Sequence, residues 1–167
     1  MFLSVDPKVL TDNVFSAIGD QWMLVCAGNE VRRNGMTASW GGLGVLFHKN
    51  VATIYVRPQR YTYGLIEEND AFALSFFEEK HRPALKLFGS KSGRDCDKAE
   101  ESGLTWVREG VAAPYFAEAS LVLVCRKLYY DDLKPEHFLD TSIGEFYPQK
   151  DYHRMYIGEI TQALVRQ

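Results

Sequence analysis

Six short runs of branched and aromatic residues, at 22–27, 36–40, 51–57, 71–77, 120–130 and 154–164, recur along the chain with turn-forming residues between them. Such side chains pack well on a pleated surface, so each run reads as a β-strand. The separators Gly28-Asn29, Asn34-Gly35, His48-Lys49-Asn50 and Asn69-Asp70 are short enough to join antiparallel neighbours. Helical signals are few: 62–68 after a Pro-containing turn, 82–88 with Pro83 in its first turn, 95–101 ahead of Gly103, and a start at Pro135. Strict strand–helix alternation is missing. The pattern therefore predicts a mainly β protein, a closed or partly open antiparallel barrel with short helices inserted, and not a doubly wound parallel sheet. Residues 147–151 read as a loop before the last strand.

The 167 residues fit a single domain, 1–167, long enough to bury a proper core. Nineteen Lys plus Arg against 22 Asp plus Glu leave a net charge of −3, so nothing global favours nucleic acid or an anionic membrane. Any basic site must be local. Cys26 and Cys125 sit inside apolar runs and read as small buried hydrophobes, while the aspartates flanking Cys96 disfavour its thiolate. Three cysteines and four scattered histidines show neither a disulfide framework nor metal-ligand spacing, so no metal is expected. The first residues lack the apolar core of a signal peptide and no run reaches the length of a membrane span, which gives the expectation of a soluble cytoplasmic protein.

Four segments carry chemistry. In RRNGMTASWGG, residues 32–42, a strand that only had to fill a core would show Val, Ile or Leu, yet Met36, Thr37, Ala38 and Ser39 precede a single large Trp40. In YVRPQRYTYGLIEEND, residues 55–70, a strand ends at Arg57 and Arg60 and Thr62 then open a short helix, whose unpaired N–H groups attract anions. Either this is a phosphate cradle, or Thr62 is an ordinary N-cap beside solvated arginines. In FGSKSGRDCDK, residues 88–98, glycines and serines surround Lys91. That loop suits an anion, or it is a plain connector between two helices. In DYHRMYIGEI, residues 151–160, His153 stands at a strand mouth, where it can contact a cofactor amide or lie on the surface.

In this order, NGMTASW, RPQRYT, GLIEENDAFALSFF, GSKSGRDCDK and HRMYIGEI resemble the flavin reductase-like family of FMN-binding split barrels, especially its flavoredoxin-like branch, over roughly residues 15–164. The resemblance implies a six-stranded antiparallel Greek-key split β-barrel that forms a homodimer, with FMN at or near the dimer interface. The strand of Asn34, Met36, Thr37, Ala38, Ser39 and Trp40 would lie along the isoalloxazine ring, its small side chains letting the ring reach the backbone. Trp40 would cover a ring edge or close the core. The phosphate would fall to Arg57, Arg60 and Thr62, with Gln59 and Tyr61 beside them and Lys91 and Ser92 in support; Lys98 would face the phosphate or pair with Asp95 or Glu101. His153 resembles the nicotinamide-contacting histidine of a Gly-Asp-His segment, here written Asp151-Tyr152-His153. The implied activity is an NAD(P)H-dependent flavin reductase, with chemistry that belongs to FMN and needs no protein nucleophile. The alternative is an electron carrier with tightly held FMN and a protein redox partner.

Overall fold

The computed structural model describes residues 1–167 and is mostly antiparallel β. All six expected strands are present: β2 (Met23–Gly28), β3 (Arg33–Ala38), β5 (Lys49–Val56), β6 (Ala71–Phe76), β9 (Leu121–Asp132) and β10 (Arg154–Arg166). Two further strands join the same sheet, β1 (Phe2–Val5) and β4 (Gly41–Leu46), and β7 (Trp106–Val107) pairs with β8 (Tyr115–Phe116) in a separate ribbon. Helices α1 (Tyr61–Glu68), α2 (Arg82–Ser90) and α3 (Lys98–Ser102) fall on the predicted stretches, whereas Pro135–His137 makes only a turn of 3-10 helix.

The main sheet runs β3-β2-β6-β9-β10-β5-β4, with β1 added to β10. Its two terminal strands, β3 and β4, are separated in sequence only by Ser39 and Trp40. A flat seven-strand path would place them roughly 29 Å apart at ~4.8 Å per strand, yet the link spans at most about 11 Å. The sheet must curl until its ends nearly meet. Those ends do not pair with each other, so the result is a split barrel with a free edge on β3.

Two apolar layers hold the barrel. Met23, Val25 and Ala27 of β2, Phe72, Leu74 and Phe76 of β6, and Leu123 and Cys125 of β9 fill the interior. The alternate residues Leu24, Cys26, Ala73, Val122 and Val124 pack outward against Leu85 and Phe88 of α2 and Phe116 of β8. Because β2 and β6 are covered on both faces, they carry continuous apolar runs. At Gly158 the crowding is tight: a Cβ would lie 2.8 Å from Phe72.

Two turns differ from the sequence reading. Asn34 and Gly35 lie within β3, opposite Ala27 and Cys26, and do not form a turn. The chain reverses earlier, at Gly28 and Asn29: Asn29 Oδ1 accepts from the amides of Val31 and Arg32, and Gly28 takes φ 122° where a Cβ would strike the Arg32 carbonyl. The β4–β5 hairpin turns on Phe47 and His48, both at positive φ, in place of His48-Lys49-Asn50.

Candidate functional site

A cavity of about 400 Å³ lies where the end of β3, the end of β5 and the start of β10 converge, a size within the range of small-molecule pockets. Met36, Thr37, Ala38, Ser39 and Trp40 form one wall, and Tyr55, Arg57, Gln59, Arg60 and His153 form the others. Three of the sequence segments, up to about 120 residues apart, thus meet at one place.

The β3 wall offers backbone more than side chains. Thr37 turns its hydroxyl onto the Leu85 carbonyl of α2 and packs under Gly89, while Ala38 points into the barrel core. Their small size serves helix and core packing. The Gly35 carbonyl points away from β2, since it accepts from Lys98 Nζ at 2.7 Å. Alternation along a strand puts the Thr37 N–H and C=O on that same unpaired edge, available to a ligand's polar rim.

Two guanidiniums face this edge. Arg57 donates to Asp151 Oδ2 at 2.5 Å and to the Phe146 carbonyl at 2.8 Å, and lies 5.0 Å from the Tyr147 ring. Arg60 has no carboxylate partner; both its terminal nitrogens reach only the Gly89 carbonyl at 3.3 Å. Burial and the neighbouring Arg57 charge hold the Arg60 pKa below its ordinary value. Arg60 is also the N-cap residue of α1, and no side chain caps that helix. A guanidinium without a carboxylate partner, beside an open helix N-terminus, suits a phosphate.

The other expected residues lie elsewhere. Thr62 is fully buried and its hydroxyl accepts from Asn34 Nδ2 at 2.9 Å, so it neither caps α1 nor opens to the cavity. Asn34 and Tyr61 line a different cavity. Lys91 forms an exposed ion pair with Glu101 at 2.5 Å, and Ser92 accepts from the Arg94 amide inside its own loop. Lys98 is buried and donates to the carbonyls of Gly35, Phe88 and Lys91, and so pairs with neither Asp95 nor Glu101. Burial brings its pKa down to about 8.

Several contacts at the site had no sequence signal. Asp151 accepts from Arg57 and Gln59, which straps the β9–β10 connection across the cavity. Hydrogen bonding to Arg57 holds its carboxyl below the ordinary aspartate value. His153 is buried, its Nδ1 lies 2.8 Å from the Tyr147 hydroxyl, and its ring stands 5.0 Å from Trp40. Trp40 in turn meets Phe146 edge-on at 5.5 Å. At 41% exposure Trp40 is a rim residue and does not close the core. Burial, reinforced by Arg57, pushes the His153 pKa down to about 4.

A family model described as "Flavin reductase like domain" matches residues 15–167. An uncharacterized protein of Aeropyrum pernix is 34% identical over 100 residues, 59% of this chain; the match spans only 38% of that relative's length. Flavoredoxin of Desulfovibrio vulgaris (Miyazaki F) superposes with a TM-score of 0.69 at 23% identity, covering 98% of this chain and 78% of its own. An NADH:FAD oxidoreductase of Streptomyces globisporus, solved with NAD and FAD fragments, gives a TM-score of 0.64 at 20% identity over 87% of this chain and 75% of its own. The two structural likenesses establish a shared fold.

Proposed function

The chain belongs to the flavin reductase-like domain family, and on that premise we propose that it is an FMN-binding flavoprotein that takes hydride from NAD(P)H and passes electrons onward. The observation that carries this reading is the cavity itself: an unpaired β3 edge at Thr37 facing Arg60, a cation without a carboxylate. The residues fit FMN. Arg60, Arg57 and the open N-terminus of α1 would hold the phosphate, and the Thr37 edge would meet the polar rim of the ring. FMN, when bound, supplies the hydride-accepting chemistry. The protein orients it, excludes water and aims hydrogen bonds. Purified protein with FMN should oxidise NADH or NADPH under air; an FMN-loaded protein that leaves both untouched overturns the reductase reading.

One observation favours a second reading. His153 lines the cavity, but its Nδ1 is taken up by the Tyr147 hydroxyl and its ring packs against Trp40, which leaves only the rest of the ring to meet a nicotinamide. A flavoredoxin-like carrier fits that arrangement: it would be isolated yellow, and a redox protein would reduce it where nicotinamides do not.

A homodimer accompanies either reading. The free edge of β4 carries exposed Val45, with exposed Phe47 just beyond it, and an apolar groove lined by Phe15, Ile18, Gly41 and Leu43 runs into the cavity through Ser39, Trp40 and Tyr55. A second copy would cover it. Sedimentation of the FMN-loaded protein is expected at twice the chain mass of 19.0 kDa, and a monomer would exclude this arrangement.

A further inference from the structure

A second cavity, of about 430 Å³, opens where the start of β3, the loop ahead of α3 and β7 come together. The FMN reading leaves it unused. Its walls combine two kinds of group: the cations Arg33 and Arg94, and the aromatic rings of Trp106 and Tyr61. Neither Arg33 nor Arg94 forms an ion pair. Arg33 donates to the Glu30 carbonyl, lies 6.0 Å from the Trp106 ring and keeps a buried Nε with no partner. Arg94 donates to the Gln59 carbonyl at 3.0 Å and lies 5.3 Å from the Tyr61 ring. Lys98 forms part of the lining, its ammonium already occupied by three backbone carbonyls, so it contributes charge and not a free donor. Asp95 and Asp97 also line the cavity; Asp97 is engaged as the N-cap of α3, accepting from the amides of Ala99 and Glu100.

This cavity adjoins the first. Asn34 of the second and Met36 of the first are two residues apart on β3, about 7 Å along a strand. Arg94 is tied to Gln59, which lines the first cavity. The connecting loop seats closely: a Cβ on Gly93 would lie 2.3 Å from Asn34 Oδ1, so only glycine lets it approach. Planar guanidiniums suit phosphate oxygens, and an indole held against Phe116, ring centres 3.9 Å apart and planes tilted by 30°, suits a flat base.

We propose that this second cavity is a nucleotide subsite for an adenosine diphosphate group, the moiety shared by NAD(P)H and FAD, with phosphates on Arg33 and Arg94 and the base against Trp106. It deepens the flavin reading above, in that a nucleotide bound here would reach its other end into the FMN cavity. The test is calorimetric titration of the FMN-loaded protein with ADP. ADP should bind without displacing FMN, and Arg33→Ala should weaken it about tenfold or more with FMN affinity unchanged. Arg94→Ala should act in the same direction, which guards against a fold defect in the first variant.

Two arms separate the sources. If the group belongs to the nicotinamide donor, ADP inhibits NAD(P)H oxidation competitively and FAD binds no more tightly than FMN. If it belongs to FAD, FAD outcompetes FMN and Arg33→Ala abolishes that advantage. The proposal is overturned if ADP fails to bind, if FMN and ADP displace each other, or if both variants bind ADP as the parent does. FMN binding is read separately by absorbance. ADP bound through Arg33 by a protein that takes up no FMN would keep this subsite and refute the flavin reading.

Discussion

Arg60→Ala should weaken FMN binding about 10- to 150-fold, the equivalent of about 1.5–3 kcal/mol for a lost charge-assisted contact, while the protein melts as before. The stability half follows from what Arg60 touches. Its only partner is the Gly89 carbonyl, at a long 3.3 Å, and no carboxylate is left behind when it goes. Removing it also relieves repulsion from Arg57, the interaction that helps hold the Arg60 pKa down. Arg57→Ala would be a poor probe of the same idea. It would strand Asp151, whose Oδ1 is already buried without a partner, and release the strap at Phe146. Arg60→Lys should recover part of the affinity, since an ammonium keeps the charge but loses the planar fork. Titration of FMN fluorescence against each variant, with thermal melts alongside, measures both halves. Unchanged FMN affinity in Arg60→Ala would remove Arg60 from the phosphate site.

Strands covered on both faces announce themselves, because β2 and β6 must be apolar throughout. Strand β4 does not: Gly41, Gly42 and Gly44 give it no β-propensity, and it exists because Gly41–Leu46 pairs in register with β5. Likewise Asn34-Gly35 carries a strong local turn signal, overridden once Gly28 and Asn29 have already reversed the chain. In the site, residues 36–40, 57, 59, 60 and 153 were legible because each sits in a chemically distinctive segment, and the barrel brings them to one cavity.

What could not be read were the pairings. Nothing local in Asp151 says that it meets Arg57, 94 residues earlier, or that Asn34 satisfies Thr62 across 28 residues. Lys98 is the clearest case. In sequence it has carboxylates within helical reach, but its position on α3 turns the ammonium inward, where backbone carbonyls of β3, α2 and the intervening loop compete successfully for it. A long flexible side chain chooses among partners that only the tertiary structure supplies.

Acidification should destabilise the protein through His153. Its ring is neutral in the fold, with a pKa lowered from 6.5 to about 4 by burial and by Arg57. Between those values the unfolded chain binds the proton and the native state does not, so stability falls as pH drops. The loss begins near pH 6.5, where the unfolded histidine protonates, and is complete near pH 4. Allowing for the ring's partial access to the cavity, the expected cost is about 2 kcal/mol, less than the full linkage of such a shift. Paired glutamates such as Glu159 begin to lose their contribution at the lower end of this window, as their unfolded forms protonate, while Asp151 titrates below it; the His153 contribution is therefore isolated by difference. Urea denaturation of the parent and of His153→Gln at pH 7 and pH 5 gives that difference. The variant should lose less stability on acidification, because glutamine can still accept from the Tyr147 hydroxyl but has no proton to take up. Parallel losses in the two proteins would show that the folded ring takes up its proton as readily as the unfolded one, and so is an imidazolium at pH 5. That result would bear on function too: a neutral His153 can offer a bound nucleotide only a hydrogen bond, whereas an imidazolium beside Arg57 would add a third positive charge to the phosphate side of the cavity.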